Sequence, residues 1–357
     1  MVFSLRSLPK PCYNTLMKDI LSLNTQQLQE EIKKLGEKPF RAKQIYDWLH
    51  QKLVDDFALM TNLPQNFQSL LKENYELTKL EVVEKQESKE DGTTKFLFKL
   101  KDGNLIESVC LPYHHGNSVC ISTQVGCGMG CKFCASTIGG LMRNLTVGEM
   151  LAQVYQIQGL TGKRVSGVVL MGIGEPLDNY HNVLSFIKIL TDEHGLNISQ
   201  RNITLSTCGL IPQIIALAKE KLQITLALSL HGTTQEKREK LMPITKKHPL
   251  DEVMKACDDY AQKTGRRITY EYSLIAGIND SLEEAKELIS LLKNRKCHLN
   301  LIPFNPIMER EFRQVNRKNA LNFKNKLEKS EINVTIRREM GADINGACGQ
   351  LRGGRVR

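Results

Sequence analysis

From residue 118 to residue 337 the chain repeats one pattern, a short apolar run followed by a longer stretch with helical spacing. The strand-like runs are 118–123, 167–171, 202–206, 223–229, 267–274 and 298–302. The helical stretches are 146–159, 182–190, 212–219, 250–264, 281–292 and 321–329, and 332–337 reads as a last strand. Strands alternating with helices imply a parallel sheet with right-handed crossovers. Six such units are too few to close an eight-unit barrel, so the expected fold is α/β, an open, partial (β/α)6 barrel.

In such barrels chemistry gathers where the strands end. The first strand runs into Cys127-Gly-Met-Gly-Cys131-Lys-Phe-Cys134, three thiols at spacing C-x3-C-x2-C. Thiols this close suit one soft metal centre. A zinc site wants four protein ligands, whereas an iron–sulfur cube can use three and leave one iron open. A zinc knuckle with a distant fourth ligand is the alternative. The second strand runs into Gly172-Ile-Gly174-Glu175-Pro176, the third into Ser206-Thr207-Cys208, the fourth into Ser229-Leu230-His231, and the last barrel strand into Phe304-Asn305-Pro306. Each alone reads as an ordinary turn or a polar cap. Together, facing a metal loop, they predict a cofactor pocket.

Residues 1–80 read as a helical accessory domain, with apolar faces at Leu28/Ile32/Leu35, Ile45/Trp48/Leu49 and Phe67/Leu70/Leu71. Trp48, the only tryptophan, is expected in its core rather than on a base-stacking surface. Residues 94–100 and 104–111 alternate around Asp102-Gly103, a hairpin signal, and 81–112 is read as a β-hairpin extension. Its Glu107 is a strand carboxylate that faces water unless a site claims it. The core is placed at 113–340. The glycine-rich tail, 341–357, carries Cys348 and is expected to be mobile; a cysteine there is either a spare thiol or one delivered to a site.

The net charge is +10, and residues 311–357 alone contribute 11 basic against five acidic side chains. That excess suits a polyanion such as RNA, or a solvated surface. Ten cysteines with no apolar leader segment or membrane-length run point to a reducing, cytoplasmic setting.

These motifs carry a family resemblance. C-x3-C-x2-C with Phe133 before the last cysteine resembles the radical S-adenosylmethionine (SAM) superfamily. With Gly174-Glu175-Pro176, Leu205-Ser206-Thr207, Ser229-Leu230-His231, Phe304-Asn305-Pro306 and Ala347-Cys348-Gly-Gln350, essentially the whole chain resembles the bacterial RlmN-like dual-specificity methyltransferases, which act on adenine C2 in 23S rRNA and tRNA. The resemblance implies that Cys127, Cys131 and Cys134 hold one [4Fe–4S] cluster. It implies that Gly174, Glu175, Ser206, Ser229, Leu230, His231 and Asn305 line the SAM site. Cys348 matches the methyl-carrying cysteine, Cys120 the second essential cysteine, and Glu107 the proton acceptor. C2 of adenine is not nucleophilic, so a radical route is needed. Two SAM are consumed: one methylates Cys348, the other yields a 5′-deoxyadenosyl radical, and release passes through a Cys120–Cys348 disulfide. The implied partners are free or immature 23S rRNA, tRNA, an electron donor such as flavodoxin or ferredoxin, and a cellular thiol reductant, with a monomeric enzyme and no membrane. A relative directed to C8, and a metal-stabilised RNA-binding module without catalysis, are the competing readings.

Overall fold

The structure, a computed structural model, describes residues 17–114 and 116–353. The start of the expected accessory domain and the last four residues of the tail lie outside these residues. The molecule is built on one ten-stranded sheet. In chain order its strands are β1 (Glu81–Glu87), β2 (Thr94–Lys99), β3 (Leu105–Tyr113), β4 (Gly116–Cys120), β5 (Val165–Leu170), β6 (Ile203–Thr207), β7 (Thr225–Ser229), β8 (Ile268–Leu274), β9 (Cys297–Pro303) and β10 (Val334–Ile336). Spatial order equals chain order, and the outer strands β1 and β10 do not pair, so the sheet stays open. Strands β4 to β10 pair in parallel throughout. Every connection between them contains a helix, as the alternating pattern requires.

The helices are α1 (Thr25–Lys34), α2 (Phe40–His50), α3 (Gln65–Asn74), α4 (Val147–Thr161), α5 (Tyr180–Leu190), α6 (Ile211–Lys219), α7 (Gln235–Leu241), α8 (Leu250–Thr264), α9 (Leu282–Leu292) and α10 (Arg317–Glu328). Helix α4 is buried on nearly every side because the sheet covers one face and the N-terminal module the other. His50 of α2 meets the Tyr155 hydroxyl of α4 at 2.8 Å inside that seam. Thr146 and Glu149 close a capping box at the start of α4, and Glu149 also holds Arg143 through two 2.8 Å bonds.

The hairpin β2–β3 is continuous with the barrel. Strand β3 pairs antiparallel with β4, and Val109 stands opposite Cys120. A buried polar network braces this junction: Gln153 accepts from Ser108 and from the Ser122 N–H, and Ser122 donates to the Glu107 carbonyl. Sequence reading missed β1, whose residues are nearly all exposed, so no apolar alternation marks it; pairing with β2 alone makes it a strand. Trp48 lies at the edge of its module rather than inside it. Its Nε1 donates to Asn62 and the Lys52 ammonium sits 3.4 Å from the ring centre.

Candidate functional site: a double cavity at the strand ends

After β4 the chain forms a short ribbon, Gln124–Gly126 with Leu141–Asn144, and the three-cysteine loop is held between its arms. The loop is tied down by Lys132 N–H donating to Leu241 O and by Thr137 Oγ1 donating to the Cys131 and Cys134 carbonyls. Cys127, Cys131 and Cys134 line one wall of a cavity of about 1000 Å³, including its mouth. Gly174, Glu175, Ser206, Ser229, His231 and Asn305 line the same cavity, so four strand ends spread over 131 positions of sequence meet there. Leu230 does not. Its side chain is fully buried in the core, and its carbonyl is taken by Arg238.

Gly174 has φ +108, and a Cβ there would lie 2.6 Å from the Gln124 side chain. That close approach lets Gln124 Oε1 accept from the Glu175 N–H at 2.8 Å. The Glu175 carboxylate then accepts from Leu177 N–H at 3.0 Å and Cys208 N–H at 2.8 Å, which joins the ends of β5 and β6. Burial pushes its pKa up, and these hydrogen bonds partly offset the push. His231 has left-handed backbone, at φ +52, which non-glycine residues seldom adopt. Its Nδ1 accepts from Ser273 N–H at 2.9 Å, and burial holds its pKa down near 3. The ring is therefore neutral and protonated on Nε2, a fixed donor at the cavity wall.

Cys348 brings the tail into the cavity. The tail is docked, not loose, over the described residues. Asn305 Nδ2 donates to Cys348 O at 3.1 Å, Ala135 N–H to Gly349 O at 2.8 Å, and Ser136 Oγ to Leu351 O at 2.8 Å. Glu107 lines no part of the cavity. Its Oε2 accepts from Arg352 N–H at 2.6 Å and Gly353 N–H at 2.8 Å, and Lys95 stands 3.5 Å from Oε1. In this conformation it anchors the tail.

A second cavity adjoins the first. Cys120 lines it with Val109, Leu111, Tyr113 and Met340, and Met171, Ile302, Asn305, Arg337, Cys348 and Leu351 are shared by both. Cys348 is thus the thiol common to the cluster-loop cavity and to the chamber of Cys120. Burial pushes the Cys120 pKa up to about 12, and proximity to Cys348 adds to that. The Cys348 side chain remains solvent-exposed where it borders the two cavities, and the Arg337 guanidinium favours its thiolate. Sequence reading missed Arg337 and Glu271, both cavity-lining. Arg337 directly follows β10, so the strand-end rule marks it; Glu271 is a lone carboxylate in an apolar strand, buried and held by Asn300 at 3.0 Å.

The three loop thiols suit an anionic metal cluster. Burial holds each protonated in the absence of metal, reaching about 12 for Cys127. Each therefore needs a cation to become a thiolate. Among the described residues no three His, Cys, Asp or Glu side chains converge on a single-ion position.

A model of the ribosomal RNA large subunit methyltransferase N-terminal domain matches residues 18–77, and one of the radical SAM superfamily matches 121–292. A probable dual-specificity RNA methyltransferase RlmN of Lachnoclostridium phytofermentans is 59% identical over 334 residues, covering 94% of both chains. The chain belongs to the RlmN family. A relative with the same description from Lachnospira eligens is 58% identical over 336 residues, covering 94% of this chain and 96% of its own. A solved structure, a radical SAM methyltransferase from Sphaerobacter thermophilus, superposes with TM-score 0.91 at 40% identity, covering 94% of this chain and 99% of that one. As a radical SAM family member the protein uses a [4Fe–4S] cluster and SAM, which sets the zinc knuckle aside. Among the described residues no helix is long and apolar enough to cross a membrane.

Proposed function

We propose that this protein methylates C2 of adenosine in 23S rRNA and in tRNA, with Cys348 as carrier of the methyl group. The observation that carries the proposal is the double cavity: Cys348 borders both the chamber of the three loop thiols and the chamber of Cys120. In this reading Cys127, Cys131 and Cys134 ligate the cluster. When bound, the cluster supplies the electron that cleaves SAM to a carbon radical.

The chain's own groups do the rest. Gly174, Glu175, Ser206, Ser229, His231 and Asn305 shape the SAM chamber, and the neutral His231 Nε2–H donates into it. The Leu230 backbone shapes the rim, though its side chain faces the core. Asn305 holds the Cys348 backbone so that its sulfur meets SAM from one side and the adenine from the other. The apolar walls of the second cavity, Val109, Leu111 and Met340, suit an extruded base, which must leave its stack to present C2. Arg337 borders both chambers and steadies negative charge on either sulfur. As the product leaves, the Cys120 thiolate attacks Cys348 Sγ. The bond from that sulfur to the product carbon breaks with its electron pair left on carbon, which takes a proton. A cellular thiol then reduces the Cys120–Cys348 disulfide. Glu107 becomes the proton acceptor only when the tail frees its carboxylate. The protein works as a cytoplasmic monomer with a one-electron donor such as flavodoxin or ferredoxin.

The test is anaerobic incubation of cluster-loaded enzyme with SAM, a reductant and unmodified ribosomal RNA and tRNA, followed by nucleoside mass spectrometry. 2-Methyladenosine is expected. A methyl group at C8 refutes the regiochemistry, and normal methylation by Cys348→Ala refutes the carrier.

A further inference from the structure

Arg238 is buried in a way that hydrogen bonding alone does not explain. Helix α7 places its side chain at 0% exposure, among the largest fully buried side chains of the described residues. Its guanidinium donates to Leu230 O at 3.1 Å, Thr245 Oγ1 at 2.8 Å, Cys208 O at 2.6 Å and Ser229 O at 3.0 Å. All four acceptors are neutral. The carboxylates of this region are engaged elsewhere: Lys237 holds Glu284 and Glu287, and Glu175 is taken by backbone N–H groups. Arginine cannot shed its proton, and a buried charge without a counter-ion is costly.

Burial pushes the Arg238 pKa down, and the thiols of Cys208, Cys131 and Cys257 oppose the fall. The cysteine loop is also joined to the end of α7 by the Lys132 N–H to Leu241 O bond at 2.9 Å, and Gly130 faces Pro243 at 3.8 Å. Gly232 permits the close fit, since a Cβ there would lie 2.7 Å from the Arg238 backbone. The structure therefore keeps a permanent cation behind the loop that holds Cys131, and the anion that would balance it is not a protein carboxylate.

We propose that Arg238 is a positioning residue whose fixed positive charge raises the reduction potential of the cluster held by Cys127, Cys131 and Cys134. Three thiolates on the cluster make an anionic centre, and each added electron makes it more so. A buried cation stabilises the reduced form more than the oxidised one. The same four hydrogen bonds fix the ends of β6 and β7, which form the cofactor rim. The proposal rests on the assignment of the three thiols to the cluster.

The experiment is a redox titration of the anaerobically reconstituted holoenzyme, followed by electron paramagnetic resonance, for wild type, Arg238→Lys, Arg238→Gln and Thr245→Asp. Thr245→Asp leaves Arg238 in place and gives it a carboxylate partner. In Arg238→Gln and Thr245→Asp the ratio of reduced to oxidised cluster at a fixed potential is expected to fall tenfold or more, which is about 59 mV for a one-electron couple. Arg238→Lys, which keeps the charge but not the four bonds, is expected to stay near wild type. Unchanged potentials in both charge-altering variants, with intact clusters, overturn the proposal. If Arg238→Gln does not retain a cluster, Thr245→Asp decides alone. Iron and sulfide content of the wild type reports separately on the cluster assignment. Its failure would appear as absent cluster, not as an unshifted potential.

Discussion

Removing the charge of Glu107 is expected to loosen the tail before it affects any proton transfer. The carboxylate accepts two backbone N–H groups, from Arg352 at 2.6 Å and Gly353 at 2.8 Å, and faces Lys95 at 3.5 Å. The Glu107 and Lys95 side chains are only 7% and 11% exposed, so water does not replace these partners cheaply. A hydrogen bond to a charged acceptor is worth about 1.5–3 kcal/mol. Glu107→Gln keeps one acceptor oxygen and loses the charge, so roughly half of the two-bond total is lost, about 1.5–3 kcal/mol. That lowers the docked fraction of the last tail turn relative to the undocked one by roughly 10- to 150-fold. Hydrogen exchange read by mass spectrometry on the peptide spanning residues 346–353 should show the loss, together with faster alkylation of Cys348. Unchanged exchange and unchanged alkylation, in a variant that no longer methylates RNA, would refute the anchoring role and leave only an effect on substrate.

Three further outcomes follow from named contacts. Cys120→Ala is expected to accumulate a covalent protein–RNA adduct, visible as a nuclease-sensitive shift on a denaturing gel; freely released methylated RNA would exclude its resolving role. Gly174→Ala forces a side chain onto φ +108 and into Gln124, with about 1–3 kcal/mol from backbone strain and as much again from overlap. SAM binding by cluster-loaded protein, measured by calorimetry, should weaken at least tenfold, and wild-type affinity would contradict the contact. His50 is held neutral by burial, its pKa pushed down to about 3. The unfolded chain takes up that proton below about pH 6.5, so stability falls as pH drops from 6.5 towards 3, by roughly 1.4 kcal/mol per unit. Urea unfolding at pH 7 and pH 5 should differ by about 2 kcal/mol on this account, and the same pH dependence in His50→Phe would rule His50 out as its source.

The alternating strand and helix runs determined the parallel sheet, because a period of two followed by a period of 3.6 admits few other packings. The cysteine spacing determined the metal chemistry, since three thiols within eight residues need no distant partner to declare themselves. The strand-end rule then marked most of the cavity, including Ser206, Ser229 and Asn305, though no local pattern connects them. Other features had no local signature. Strand β1 is exposed almost throughout and exists only by pairing. Leu230 stands within the motif at the end of β7, yet the backbone turn before His231 sends its side chain into the core. A glycine-rich tail reads as loose, and only contacts from Glu107, Ala135, Ser136 and Asn305 dock it.

What the sequence determined by itself is local: the periods and the ligand spacing, each decided by residues a few positions apart. What only the tertiary structure decided is which groups share a space. Cys120 and Cys348 are 228 positions apart in the chain, and they meet because β4 and the tail reach the same end of one open sheet. Arg238 is a lysine-rich helix's one inward-facing cation, and its missing counter-ion becomes visible only when burial removes water as the alternative partner.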